Sequence, residues 1–122
     1  MLREGPIPRF LHGMIEYVGG VLLIAAPFLL SFDDDAAVAV SVIAGLLVLV
    51  IAASTDGPTS LVNSIPISVH VLLDYALAAI LVASPFLFGF SDETAPTAFF
   101  LALGVAHLLI TIGTRFRAAK EA

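Results

Sequence analysis

Four apolar runs separated by short polar turns constrain this chain more than any other feature of its sequence. The runs cover residues 10–32, 36–53, 67–90 and 94–114. Each is close to the roughly 20 residues that an α-helix needs to cross the hydrocarbon core of a bilayer. A backbone in hydrocarbon must satisfy its own hydrogen bonds, and the alternating pattern of barrel strands is missing here. We therefore predict an all-α integral membrane protein with four transmembrane helices.

The composition leaves little room for a soluble domain. Of the 122 residues, 60% are hydrophobic and 12% are charged, whereas soluble domains average roughly 45–50% and about 25%. The sequence has no cysteine, which excludes disulfides, thiolate nucleophiles and cysteine-ligated metal clusters. Gly-x-Ser-x-Gly and phosphate-loop motifs are also missing. We therefore predict a single membrane domain, residues 1–122, without enzymatic activity.

Positive charge is confined to the two ends of the chain. The five basic residues are Arg3, Arg9, Arg115, Arg117 and Lys120. Because Lys and Arg are retained on the cytoplasmic side of short loops, we expect a multi-pass protein of the cell membrane with both termini cytoplasmic. The acidic turns at residues 33–35 and 92–93 would then face outside. No nucleic-acid partner is expected, because a basic stripe is missing.

A shift of 58 positions aligns the first half of the chain with the second. The alignment pairs His12 with His70, Glu16 with Asp74, Tyr17 with Tyr75, Pro27 with Pro85 and Phe32 with Phe90. A shift of 59 also pairs Gly45 with Gly104 and Thr55 with Thr114.

We interpret residues 7–55 and 65–114 as two copies of one helical hairpin. Residues 56–64 form a cytoplasmic linker between them, and residues 115–122 form a basic cytoplasmic tail. Copies with an even number of spans enter the membrane in the same direction, as in parallel-repeat transporters. The expected fold is therefore a pair of parallel-repeat hairpins with approximate twofold symmetry about the membrane normal.

Each copy carries a Pro-aromatic motif near the end of its first run, Ala26-Pro27-Phe28 and Ser84-Pro85-Phe86. The motif resembles the Ser-Pro-Trp motif of the SPW repeat family of small integral membrane proteins. Phe replaces Trp in both copies, and Ala26 replaces Ser in the first. The resemblance covers about residues 7–114. It implies two membrane helices per repeat, often in tandem, and it implies no activity.

A proline inside a helix removes one backbone hydrogen bond and frees the carbonyl four residues earlier, here that of Leu23 or Leu81. We expect a kink that ends each helix near the outer interface, with Ser84 satisfying the backbone locally in the second copy. Phenylalanines are expected to pack at this depth, namely Phe28, Phe32, Phe86, Phe88 and Phe90. A hinge for transport is the alternative.

Two His–carboxylate pairs lie inside the predicted spans. His12 and Glu16 are four residues apart, as are His70 and Asp74, so each pair shares one helix face. His107 lies at about the same depth in the fourth run, given a rise of ~1.5 Å per residue. Ionisable groups within spans are costly and mark functional or packing sites. We take these five residues as the candidate intramembrane polar cluster.

Three interpretations of the cluster remain open. Glu16 and Asp74 could bond their own histidines, Tyr17 or Tyr75, or neighbouring backbone, and so act as interhelical glue. The cluster could instead relay protons or cations. It could also bind a metal, since two imidazoles and two carboxylates suit zinc or non-haem iron.

The predicted function is that of a structural or accessory membrane component. A small transporter or proton- or cation-conducting protein is the alternative, and a membrane metal-binding protein is the third. No cofactor is predicted, apart from the metal ion of the third interpretation. The expected partners are the lipid bilayer and either like chains in a homo-oligomer or a larger membrane complex.

Overall fold

The computed structural model describes residues 5–116. Its elements in chain order are β1 (Ile7–Pro8), α1 (Arg9–Leu29), α2 (Asp35–Ser54), α3 (Ile67–Leu87), α4 (Thr94–Gly113) and β2 (Thr114–Arg115). Within this range four helices are long and apolar enough to cross a membrane. The prediction of an all-helical chain with four candidate spans is confirmed. The positive charges of Arg3, Arg117 and Lys120 lie outside the described residues.

The first helix of each hairpin ends two residues after its proline, which is three residues before the apolar run ends. Phe32 N donates to Pro27 O, and Phe90 N donates to Pro85 O, both at 2.9 Å. In each hairpin the residue just before this phenylalanine has a left-handed backbone conformation. It is Ser31 with φ 55° in the first hairpin and Gly89 with φ 77° in the second. Such a residue is a common stop for a helix. The apolar residues continue past this stop, so the apolar runs extend beyond the ends of α1 and α3.

The phenylalanines near the prolines divide into two groups. Phe32 and Phe90 are buried, whereas Phe28 is 70% exposed and Phe86 is 64% exposed. Phe88 is also exposed. Of the five phenylalanines expected to pack at this depth, the protein buries Phe32 and Phe90 and leaves the other three exposed. The aromatic side chain of the Pro-Phe motif therefore points outward in both copies.

The carbonyls near the two prolines are satisfied differently from what we expected. Leu23 O accepts a hydrogen bond of 2.5 Å from Ser41 Oγ, which belongs to α2. Ser84 Oγ donates to Ile80 O at 2.6 Å and not to Leu81 O, the carbonyl freed by Pro85. A helical serine reaches the carbonyl four residues before itself, and that carbonyl is one residue away from the one that the proline frees.

The helices form two hairpins, α1 with α2 and α3 with α4, each packed more extensively within itself than against the other. In the first hairpin the backbones cross closely at Gly20 and Gly45, where a Cβ added to Gly45 would lie 2.6 Å from Gly20 O. The buried apolar core includes Leu23, Val48, Leu81 and Phe100. These core residues come from all four helices, so the two hairpins share one core.

The hairpins also meet through backbone pairing at one end of the bundle, which we call the terminal end. There β1 pairs with β2 in parallel, with Ile7 opposite Thr114, and Thr55 forms an isolated bridge with Ile65.

At the opposite end, which we call the acidic end, the Glu93 carboxylate accepts hydrogen bonds from two N–H groups of the first hairpin. They belong to Asp33, at 2.7 Å, and Asp34, at 3.0 Å. The two hairpins are thus joined at both ends of the bundle.

Candidate functional site

The candidate site lies near the beginning of α1 and α3, on the faces that these helices turn toward each other. α1 contributes His12 and Glu16, and α3 contributes His70 and Asp74. All four are buried, with relative exposures of 3% to 7%. Glu16 is seven residues from the start of α1, which is roughly 10 Å along the helix axis. The site is therefore enclosed by the bundle, closer to its terminal end.

The four side chains form a closed ring, which we call the His–carboxylate ring. His12 Nε2 lies 2.9 Å from Glu16 Oε2 and 3.0 Å from Asp74 Oδ2. His70 Nε2 lies 2.8 Å from Glu16 Oε2 and 3.2 Å from Asp74 Oδ2. Two nitrogens and two oxygens alternate around the ring, all within 4.8 Å of one another. Since each carboxylate contacts both histidines, the ring joins α1 to α3.

The other ring nitrogen of each histidine is held by a threonine. His12 Nδ1 lies 2.7 Å from Thr114 Oγ1, and His70 Nδ1 lies 2.6 Å from Thr55 Oγ1. Both hydroxyls donate to the carbonyl four residues earlier, at 2.6 Å. A threonine hydroxyl has one hydrogen, so each must accept from the imidazole. Both histidines therefore carry a hydrogen on Nδ1 and direct Nε2 toward the carboxylates.

His107 lies beside the ring. Its Nε2 is 3.6 Å from Asp74 Oδ1, beyond hydrogen-bond length, and it has no hydrogen-bond partner among residues 5–116. The imidazoles of His12 and His107 are tilted with centroids 6.4 Å apart. Of the five predicted cluster residues, the structure brings four into direct contact and places the fifth next to one oxygen of Asp74.

Two other predicted groups do not belong to the ring. The Tyr17 hydroxyl donates to Thr59 O at 2.8 Å and is thus not the partner of Glu16 that we considered. The Pro-Phe motifs lie far along the same helices: Pro27 follows His12 by 15 residues, or about 22 Å of helix. The buried Pro27, Ser84 and Pro85 shape the other end of the bundle.

Small cavities reach the ring from the terminal end and from the sides. A cavity of about 30 Å³ at the terminal end is lined by Arg9, His12, Glu16, Thr55 and His70 among others, and it could hold one water molecule. A cavity of about 180 Å³ between α2 and α3 also reaches the carboxylates and is otherwise mostly apolar.

Toward the acidic end the lining becomes apolar. A cavity of about 50 Å³ is lined by Glu16 and His107 and otherwise by apolar residues, including Leu23, Leu77 and Leu81. The cavity at the terminal end has the more polar lining, which includes Arg9, Asp56 and Thr59.

Sequence reasoning missed three residues that contact the ring histidines. Thr55 and Thr114 bond the Nδ1 atoms, and the Phe116 ring meets His12 edge-on with centroids 5.1 Å apart. The threonines did carry a signal, since they are matched by the 59-residue shift. Phe116 follows β2, and its sequence position gave no indication of a contact 104 residues away.

Comparison of the chain with protein-family models, with curated proteins and with solved structures finds no match. The resemblance to the SPW repeat family therefore stays a prediction. The interpretation of the site rests on its geometry.

Proposed function

We propose that this chain is a small SPW-repeat-like membrane protein of structural or accessory type, without catalytic activity, whose two hairpins are fastened together by the His–carboxylate ring. The observation that carries the proposal is that Glu16 and Asp74 each contact the histidine of the other hairpin as well as their own. A simple helix-to-helix contact would need only one such hydrogen bond. The buried ring fixes the depth and rotation of α1 against α3.

The proposal includes two tandem copies of one hairpin that run parallel through the cell membrane with approximate twofold symmetry. Matched contacts in the two halves support it. The Nδ1 bonds of His12 and His70 go to threonines paired by the 59-residue shift. The Ile7–Thr114 and Ile65–Thr55 pairings correspond in the same way. Helix termination after Pro27 and Pro85 also matches.

The energetic case for fastening follows from burial. Interhelical hydrogen bonds in membranes contribute only about 0.6 kcal/mol on average. Removing one member of a buried ion pair costs more, about 3–5 kcal/mol, because a charge is left without its partner. Glu16 lies within 2.9 Å of both histidines. The intact ring therefore stabilises the contact between the hairpins, and loss of one of its members lowers the stability of the protein.

The experiment compares Glu16→Gln and Asp74→Asn with the control Asp92→Asn. Asp92 is exposed in the acidic turn, so its variant removes one carboxylate charge without touching the ring. Unfolding of purified protein in detergent micelles should show a loss of about 3–5 kcal/mol for each ring variant and little change for the control. Ring variants as stable as the control would refute the fastening role.

A proton or cation relay is the second candidate, favoured by the cavity that reaches His12, Glu16 and His70 from the terminal end. Flux into proteoliposomes separates the two candidates. A structural protein gives the flux of protein-free vesicles. A relay gives a higher flux that Asp74→Asn abolishes.

The proposed orientation places both termini in the cytoplasm, which rests on the basic residues at the two ends of the sequence. Reporters fused to each end should both be found inside, and an external reporter at either end would overturn the orientation.

The outward faces carry exposed apolar side chains such as Val18, Leu47 and Leu109. We expect lipid and like chains to cover them, which mass measurement of the detergent-purified protein can test.

A further inference from the structure

We propose that the His–carboxylate ring binds one divalent transition-metal ion, with zinc as the best-fitting ion. This inference deepens the proposed function, because the ion would lie at the contact between the hairpins and complete their connection. The ligand atoms would be Nε2 of His12 and His70, Oε2 of Glu16 and Oδ2 of Asp74.

Hydrogen-bond accounting supplies the first argument. Because Thr55 and Thr114 hold hydrogens on the Nδ1 atoms, the Nε2 atoms of neutral histidines present lone pairs to the ring. Two lone pairs and two carboxylate oxygens then converge with neighbour distances of 2.8–3.2 Å. The two carboxylates need positive charge beside them. One divalent cation would supply it and make the site neutral. One proton on each Nε2 is the alternative that has the same effect on the charge.

Ring size supplies the second argument. The four ligand atoms form a closed ring with edges of about 3.0 Å. The centre of such a ring lies about 2.1 Å from each atom if the ring is flat, and about 1.8 Å if it is puckered into a tetrahedron. Zinc bonds to nitrogen and oxygen are roughly 2.0–2.2 Å long. The ligands thus need to move by only a few tenths of an ångström. Mixed imidazole and carboxylate ligands suit zinc and its neighbours in the transition series better than Mg²⁺ or Ca²⁺, which prefer oxygen.

The surroundings of the ligands supply the third argument. A metal-bound histidine usually donates its other N–H to an acceptor that fixes the tautomer and the ring orientation. Thr55 and Thr114 do this for His70 and His12, and each hydroxyl is itself anchored on a helix carbonyl. The cavity at the terminal end gives access to both histidines.

The test begins with protein purified without a polyhistidine tag, stripped with a chelator and equilibrated with Zn²⁺ in detergent. Elemental analysis should find one zinc per chain, retained in the presence of excess Mg²⁺. Substitution with Co²⁺ should give the visible absorption bands of a four-coordinate site. X-ray absorption of the zinc form should show two imidazoles and two oxygens at about 2.0–2.1 Å.

Variants locate the site. Removing a ligand with His70→Gln or Asp74→Asn should weaken zinc binding by more than the roughly 10–100-fold that loss of an outer partner costs, and Thr55→Val should fall within that range. His107→Val copies the residue that the 59-residue shift places in the first hairpin, Val48, and it should keep one zinc per chain. Asp92→Asn should do the same.

A wild-type chain that takes up no zinc, or a Co²⁺ form with the spectrum of the hydrated ion, would overturn the inference even if the variants fail to fold. Equal zinc content in the ligand variants and the controls would overturn it too. Failure of the metal site and failure of the fastening role are distinguishable. If the wild type takes up no zinc but Asp74→Asn is destabilised, the metal site is refuted and the ring still joins the hairpins through shared protons. If the wild type takes up zinc but zinc-free Asp74→Asn is as stable as the zinc-free wild type, only the fastening role is refuted.

Discussion

Replacing Gly45 by alanine tests whether the close crossing of α1 and α2 determines the packing of the first hairpin. The added Cβ would lie 2.6 Å from Gly20 O and 2.7 Å from Ile24 Cγ1, well inside the roughly 3.5–4.0 Å optimum for non-bonded atoms. A backbone oxygen cannot move away by changing rotamer, so the helices must separate. Glu16 lies one turn before Gly20, which couples this crossing to the ring.

The magnitude follows from two opposing effects. Overpacking of a tight contact costs about 1–3 kcal/mol, and a collision with backbone places this site near the upper value. Alanine has a better helix propensity than glycine by about 1 kcal/mol. The net loss of stability expected for Gly45→Ala is therefore about 2 kcal/mol.

The assay is equilibrium unfolding in mixed micelles, in which SDS is titrated into a mild detergent and helicity is followed by circular dichroism. Gly19→Ala is the matched control, because an added Cβ there meets nothing within 4 Å. The control should be as stable as the wild type or more stable by up to about 1 kcal/mol. If Gly45→Ala matches the wild type, or if both variants lose equal stability, the crossing does not have the close geometry described above.

Two further predictions use the same unfolding assay. Ser41→Ala should cost about 1–3 kcal/mol, because Leu23 O loses its buried donor next to Pro27, and a variant of unchanged stability would mean that another group satisfies this carbonyl. Phe90→Ala should cost about 3–5 kcal/mol, since Phe90 is 1% exposed and its removal leaves a cavity. Phe86→Ala, at an exposed position of the Pro-Phe motif, should cost much less, and an equal loss in both variants would contradict the outward direction of Phe86.

Helices were largely predictable from the sequence because their signal is local. The second and fourth helices agree with their apolar runs to within a residue at each end. The first and third are shorter, because they end at backbone turns through Ser31 and Gly89. An apolar run indicates which residues tolerate lipid, but it does not predict where a residue in the left-handed conformation ends the helix.

The residues of the candidate site were predictable from the sequence, but their hydrogen bonds to other helices were not. Spacing alone places His12 beside Glu16 and His70 beside Asp74. The bonds to Thr55 and Thr114, and that from Ser41 to Leu23 O, depend on how each helix is rotated and on which residue faces it from another helix. Helical periodicity does not predict these contacts between helices, although the 59-residue shift marks Thr55 and Thr114 as a matched pair.

Neither hairpin has a complete site by itself. Each provides one imidazole and one carboxylate four residues apart, which can form a single pair but cannot surround a cation or neutralise a double charge. Bringing α1 against α3 doubles the set, and the ring closes only through the contacts His12–Asp74 and His70–Glu16. Any change that separates the hairpins must therefore disrupt the ring, and filling the ring must hold the hairpins together. The proposed tie between the hairpins and the proposed metal site at their junction would thus both follow from this one arrangement.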